Sequence, residues 1–522
     1  MNKITGVNYI AGESSRKGED TFRSFYPKEK KDGDIIFFNA TDYEINQAAI
    51  KAEEFFPVVS KYDDKRIAGF LKTLSEEIIS LDDNLIKTCD RETALGEKRL
   101  ISERDRTCNQ LEKFAEYIID GSYVEAIIDK KDENSQPDIR RMLFPIGPVA
   151  IFPASNFPFA FSVCGGDSAS AWAARCPVIV KAHPLHPETS ELFAHAVYRS
   201  IEKNNFPKGF FSLIHGNKKV SEKLVTNPKI KAVGFTGSHI AGRAIYNIAA
   251  NREVPIPVYA EMGSINPVFI TKNAMRKRKK QLAKIFADSI TLGSGQFCTK
   301  PGLIFINDDR NSDDFIDEIT NIIKDKEPGI LLDPRIKNSL EKIADKTKKI
   351  DKINNKLGGK SIENNISFEN TLFVTNSNVF FKEKHLKKEH FGPVSIIVKC
   401  KGFIEFLEIS DDLEGQLTAT IHLEKEDYKD VGPLVSKLSE KVGRIIINGV
   451  PTGVRVCFAM QHGGPYPATT YPSTTSVGMQ AIKRFLRPVA FQDFPDELLP
   501  YQIKDKNKRK IFRILNEKYK NE

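Results

Sequence analysis

A cysteine bracketed by glycines is the residue in this chain whose surroundings point most directly to chemistry. Cys298 stands in GSGQFCTKPG, with Gly293, Gly295 and Gly302 around it. Glycine lets a backbone make a tight loop with exposed amides. A thiolate in such a loop is a usable nucleophile, and nearby N–H groups can hold an oxyanion. Glu261 stands in PVYAEMGSINPVF, a carboxylate inside an apolar run. Burial there is costly unless the group is paired or functional. A desolvated glutamate has a raised pKa, which suits a general base near neutral pH. Asn156, in FPASNFPF, follows another apolar run, and its amide can donate to an oxyanion. Nucleophile, base and oxyanion donor are therefore the candidate roles of Cys298, Glu261 and Asn156. Taken singly, each also has a plain structural reading: a small core thiol, a paired carboxylate, a turn asparagine.

A second group of residues has the chemistry to hold a phosphate-bearing cofactor. GFTGSHIAG (234–242) follows an apolar run and opens a helical pattern, placing Gly237, Ser238 and Gly242 where a helix N-terminus receives a pyrophosphate. The string is not GxGxxG, so it is weak as a dinucleotide fingerprint on its own. Lys181 ends the run PVIVKAH, where its ammonium can reach cofactor hydroxyls or a phosphate.

The elements that must position these residues alternate in type. Residues 1 to about 140 read as mostly helical, with apolar spacings of three and four over 44–60, 64–80 and 102–120. From Arg141 onward, short apolar runs alternate with helical stretches: 148–154, 177–182, 210–215, 230–235 and 257–261. Such alternation means βαβ units and a parallel sheet, with ligands at the carboxyl ends of its strands. A second α/β set begins at 266–270 and continues through 302–306, 394–399 and 443–447. The expected fold class is α/β. The lysine-rich end after residue 503 reads as an exposed helix or a partly disordered tail.

Composition narrows the class. A chain of 522 residues needs two or three domains, and 40% hydrophobic with 28% charged residues describes an ordinary globular protein. The net charge of +9 is concentrated partly in RKRKK (276–280) and in 504–510. No aromatics interleave with these runs, so they read as solvated helix faces rather than a nucleic-acid surface. The seven cysteines are odd in number and contain no CxxC pair, so spacing points to neither a disulfide framework nor a metal site. No apolar run reaches 18 residues and the first residues lack an apolar signal core, so the expectation is a cytoplasmic protein that uses no membrane.

In this order along the chain, these elements resemble the aldehyde dehydrogenase family. The likeness rests on Asn156-Phe157-Pro158, on strand-ending Lys181, on Phe235-Thr236-Gly237-Ser238, and on Glu261-Met262-Gly263-Ser264. It continues through Gly295-Gln296-Phe297-Cys298 and Glu389-His390-Phe391-Gly392-Pro393. Ser264 replaces a family glycine, and His390 has no evident meaning. VKAHPLHPETSEL (180–192), QHGGPYPATT (461–470), TTSVG (474–478) and FLRPVAFQDFPDELLP (485–500) are similar to the α-ketoglutaric semialdehyde (2,5-dioxovalerate) dehydrogenase branch.

The resemblance implies a Rossmann-type cofactor domain (1–124 and 147–265) and an α/β catalytic domain (266–487). It also implies a small β oligomerisation arm (125–146 and 488–500), ahead of the basic tail 501–522. Oxidation of an aldehyde through a cysteine thioester, in a homodimer or homotetramer, is the implied activity. Glu389 and Phe391 join Lys181, His183, Gly237, Ser238 and Gly242 as cofactor contacts. NADP is expected ahead of NAD, because Pro184 stands where NAD-preferring relatives carry a glutamate. A carboxylate-bearing aldehyde is the expected substrate, contacted by Phe157, Phe297 and Arg455, with Lys300 and Arg175 as other possible anchors. The rival readings are another aldehyde (medium-chain aliphatic or succinic semialdehyde) or a non-catalytic structural or nucleic-acid-binding use of the fold.

Overall fold

The computed structural model describes residues 3–131 and 136–520. Residues 132–135 of the expected arm, and the terminal residues 1, 2, 521 and 522, lie outside the described residues.

Five runs, all buried except for the half-buried Tyr259, form the parallel part of a seven-stranded sheet, in the order Val258–Glu261, Ala232–Thr236, Val149–Phe152, Val178–Lys181, Phe211–Ile214. Their near-continuous Val, Ile and Phe content is what a sheet covered on both faces requires. The chain starts in the central strand Val149–Phe152, builds outward on one side, then crosses to the other at Ala232–Thr236. That reversal opens a crevice beyond the strand ends, where ligands of such sheets bind. Asn156, Gly237 and Glu261 all lie at or just past those ends.

A second seven-stranded sheet runs Asn354–Leu357, Thr371–Asn376, Val394–Cys400, Leu303–Asn307, Val268–Ile270, Gln416–His422, Val442–Ile447. It is parallel except at its first strand. Both sheets are packed by helices around their own apolar cores. A five-stranded sheet joins Leu486–Gln492, Ile139–Pro145, Ala126–Asp129, Arg513–Leu515 and Lys518–Lys520.

Two expectations from sequence are corrected. The first 40 residues are not helical: they make two hairpins, Asn8–Ile10 with Glu13–Ser15 and Thr21–Tyr26 with Lys31–Phe38. The first hairpin extends the cofactor-type sheet by pairing Tyr9 with Leu213, and helices begin only at Asp42. The basic tail is not a free helix. Arg513–Leu515 pairs parallel with Ala126–Asp129, Ile511 is buried beside it, and Arg509 forms an ion pair with Asp64. A charge run that finds a buried carboxylate is ordered by it, and composition alone does not reveal that partner.

Candidate active site

The nucleophile loop is locked by its own turn and by a remote asparagine. Gly293, Ser294 and Gly295 adopt φ values of 54°, 56° and 64°. A Cβ on Gly295 would stand 2.1 Å from the Gly392 carbonyl, so the loop can close only on glycine. Asn266 Nδ2 then donates to the carbonyls of Cys298 (2.8 Å) and Lys300 (2.9 Å). Cys298 keeps partial exposure where it faces a cavity of about 310 Å³. Asn156, Glu261, Gly237, Ser238, Glu389 and Phe391 line the same cavity. Residues spread over more than 200 positions of sequence are thus brought to one cleft between the two parallel sheets.

Around Cys298 the polar contacts are close. His462 Nε2 lies 3.7 Å from Cys298 Sγ and 3.0 Å from Glu261 Oε1. The Ser476 hydroxyl donates to Glu261 Oε2 at 2.5 Å. Segment 461–478 reaches this position by running along the strand Val258–Glu261, with Met262 N–H donating to the Ala468 carbonyl at 2.8 Å. Burial alone would raise the Glu261 carboxyl. The His462 imidazole, Ser476 and Cys298 outweigh burial and hold it below the usual carboxylate range. The expectation of a raised pKa is therefore corrected: the carboxylate is paired as well as desolvated, and pairing wins. Burial, and then the charges of Glu261 and Glu389, push the Cys298 thiol up. The thiol is protonated at neutral pH and needs a base. Asn156 Nδ2 donates to the Gln296 carbonyl at 2.9 Å, which holds the amide beside the nucleophile loop. The Asn156 carbonyl in turn accepts from Arg99 Nη2 at 2.5 Å.

The cofactor side is built from strand ends and a helix start. Ser238 caps the helix His239–Ala250 by accepting from the Ala241 N–H. Gly242 is buried against Met262 and Phe235, where a Cβ would approach within 2.7 Å, so it serves close helix–sheet packing. Lys181 is buried at its strand end with its pKa lowered by burial to about 8, and no described residue accepts a hydrogen bond from its ammonium. An unpartnered buried cation suits an anionic or hydroxyl-rich ligand. Burial, then His186 and Lys181, hold His183 neutral, and its ring stacks on His186 at 5.2 Å. His183 therefore adds no charge toward a phosphate. Glu389 fits only because Gly263 has no side chain, since a Cβ there would stand 2.1 Å from Glu389 Oε2. Burial raises Glu389 to about 7, against the opposing pull of Lys300.

The substrate expectations divide. Phe157 and Phe297 stack edge to face at 5.2 Å beneath the Arg99 guanidinium, at 5.0 and 4.7 Å from it. Arg455 is exposed and does not line the cavity. Arg175 is consumed by Asp64, Tyr123 and the Tyr62 carbonyl, and Lys300 by the Val394 carbonyl, so neither is an anchor. The cation that the sequence did not single out is Arg106, half-buried on the helix Glu97–Asp120. Its charge acts on both Cys298 and Glu261, and its guanidinium stands 5.4 Å from the Phe161 ring. No described residue accepts a hydrogen bond from it. The two departures noted in the sequence are structural. Ser264 Oγ bonds Asn266 and Gln416, at 3.0 and 2.9 Å. His390, neutral and buried, bonds Thr347 at 2.9 Å.

Two largely parallel sheets meeting at a cleft that holds a thiol and two carboxylates, with an imidazole 3.7 Å from the thiol, define an α/β enzyme. The model of the aldehyde dehydrogenase family matches residues 15–466, and the chain belongs to that family as an aldehyde-oxidising oxidoreductase. The chain is 40% identical to α-ketoglutaric semialdehyde dehydrogenase 2 of Azospirillum brasilense, over 98% of this chain and 99% of that one. It is 37% identical to α-ketoglutaric semialdehyde dehydrogenase of Acinetobacter baylyi, over 99% of each. Among solved structures, 3,6-anhydro-L-galactose dehydrogenase superposes with a TM-score of 0.82 at 19% identity, covering 94% of this chain and 99% of that one. Betaine aldehyde dehydrogenase of Staphylococcus aureus gives 0.81 at 19%, covering 96% and 98%. Among the described residues no helix is long and apolar enough to cross a membrane.

Proposed function

We propose that this chain oxidises α-ketoglutaric semialdehyde to 2-oxoglutarate, with NADP+ preferred over NAD+. The observation that carries the mechanism is the approach of the buried His462 Nε2 to Cys298 Sγ at 3.7 Å. The protonated thiol gives its proton to that imidazole as sulfur attacks the aldehyde carbon. Asn156 Nδ2 and the Cys298 N–H donate to the oxyanion of the thiohemiacetal. A nicotinamide dinucleotide, when bound, supplies the hydride acceptor. Loss of hydride leaves a thioester on Cys298. Glu261, a carboxylate that lines the cavity beside Cys298, takes a proton from water as that water hydrolyses the thioester. Splitting one hard step into two is the gain from covalent catalysis.

Lys181, the N-terminus of the helix His239–Ala250, and Glu389 with Phe391 hold the cofactor in this reading. Lys181 is the charge available to a 2′-phosphate, and no carboxylate stands at position 184 to repel it. Arg106 takes the role first given to Arg455 and binds the distal carboxylate of the substrate. Residues 1–124 with 147–265 serve as the cofactor domain, 266–487 as the catalytic domain, and 125–146 with 488–500 as the oligomerisation arm, to which the tail adds strands.

Initial rates for a panel of aldehydes with NAD+ and NADP+ test the reading. Acidic semialdehydes should exceed neutral aldehydes of similar length, and Cys298→Ala should abolish turnover while cofactor still binds. Equal rates with hexanal would remove the substrate assignment and leave the dehydrogenase.

A further inference from the structure

Cys298, His462 and Glu261 also form a cluster whose geometry suits a metal ion. Cys298 Sγ, a ring nitrogen of His462 and a carboxylate oxygen of Glu261 all lie within 4.8 Å of one another. Around a tetrahedral zinc with Zn–S about 2.3 Å and Zn–N about 2.05 Å, sulfur and nitrogen stand about 3.5 Å apart, and nitrogen and oxygen about 3.3 Å. Here the corresponding separations are 3.7 and 3.0 Å. His462 Nε2 stands between the two other ligand atoms, 3.0 Å from the buried Glu261 Oε1 and 3.7 Å from Cys298 Sγ. Outer contacts hold two of the ligand residues in place. The Ser476 hydroxyl fixes Glu261 Oε2, and Thr475 Oγ1 accepts from the backbone N–H of His462 at 2.9 Å.

We propose that these three side chains are a zinc site, and that zinc reversibly blocks the nucleophile of this enzyme. Thiolate, imidazole and carboxylate together select zinc over magnesium or calcium, which favour oxygen ligands. Three protein ligands leave the fourth position open, and it faces the cavity lined by Cys298 and Glu261, where water completes the shell. Binding displaces the thiol proton into solution and occupies the lone pair that attacks the aldehyde. The ligands come from three distant segments, so chain spacing shows no metal motif. The site does not depend on which aldehyde is oxidised, and its failure would leave the dehydrogenase reading untouched.

The test uses the full chain. Zinc should bind at one equivalent by calorimetry and abolish dehydrogenase activity, which a chelator restores. Cobalt(II) in place of zinc should give a thiolate-to-metal absorption band in the near ultraviolet. Cys298→Ser should remove that band, and His462→Phe should weaken cobalt binding at least tenfold, each with an unchanged circular dichroism spectrum. Should either variant fail to fold, Glu261→Ala, measured by the same band, replaces it and should show the same weakening. A wild-type protein with no band, a band that survives Cys298→Ser, or cobalt affinity unaltered by loss of both His462 and Glu261 would overturn the proposal.

Discussion

His462 Nε2 stands 3.7 Å from Cys298 Sγ, with the imidazole edge directed at the sulfur. This relationship matters because the thiol is pushed up by burial and by the charge of Glu261, so it does not ionise unaided at neutral pH. A nucleophile in that state needs a positioned base, and the imidazole is the one at hand.

His462→Phe should therefore lower kcat/KM at pH 7 by roughly 10²–10⁴-fold, the usual worth of a general base. Because the remaining route requires the thiol to ionise in solution, activity of the variant should climb steadily as pH rises through the alkaline range. The wild type, which uses the imidazole, should be nearly flat there. Parallel pH profiles of kcat/KM for the two proteins would rule out the role.

How much of this site could be read from sequence depended on whether a residue's partners were near it along the chain. Cys298, Glu261 and Asn156 could be singled out because each carries its motif with it: Cys298 is bracketed by glycines, and Glu261 and Asn156 end or follow an apolar run. His462 was not, although its string was noticed, because the imidazole acquires meaning only beside a sulfur 164 residues away. Arg106 was not singled out, because in sequence it is one more charge in a helical stretch. Its lack of a partner, and its field at Cys298, exist only in three dimensions. Glu261 shows the converse failure. Its burial was foreseen, but the sign of its pKa shift was not, since His462 and Ser476 outweigh desolvation. The parallel strands were legible as buried apolar runs, whereas the N-terminal hairpins were not, because one of them pairs with a strand some 200 residues later.

Glu261→Gln should slow hydrolysis of the thioester more than its formation. Rapid mixing should show a burst of reduced cofactor followed by slow turnover, provided hydrolysis is limiting. The sign for pH follows from the lowered pKa of Glu261. The carboxylate is ionised above that value, so its contribution persists at neutral pH and is lost as pH falls through a point below the usual carboxylate range. A burst lost together with turnover would place Glu261 earlier in the reaction.

Lys181→Met should raise KM for NADP+ more than for NAD+, by roughly tenfold, because a charge-assisted contact is worth ~1.5–3 kcal/mol. His183→Gln should leave the ratio nearly unchanged, since the imidazole is held neutral by burial. The Lys181 ammonium loses its proton near pH 8, so the NADP+ preference of the wild type should shrink as pH rises through that value. Steady-state kinetics with both cofactors at several pH values decide this. A preference that ignores both Lys181 and pH would place the phosphate elsewhere.

Arg106 and Arg455 offer a direct comparison of two anchors for a substrate carboxylate. Arg455 sits on an exposed loop, where a guanidinium is solvated and screened; neither it nor Arg106 is among the residues that line the cavity. Arg106 is half-buried, has no hydrogen-bond acceptor among the described residues, and acts electrostatically on Cys298 and Glu261. Burial lowers its pKa, yet a guanidinium stays charged across the working pH range, so it is a fixed cation whose field reaches Cys298 and Glu261. A carboxylate entering the site would supply the missing acceptor, in the bidentate geometry that arginine favours. Arg106→Met keeps the stem and removes the charge. It should raise KM for α-ketoglutaric and succinic semialdehydes about tenfold or more, matching the ~1.5–3 kcal/mol of one charge-assisted contact, while KM for hexanal stays the same or falls. Arg455→Met should change neither. An equal loss for acidic and neutral aldehydes in the Arg106 variant would mean that the guanidinium tunes Cys298 rather than binding substrate, and the carboxylate anchor would have to be sought elsewhere in the cleft.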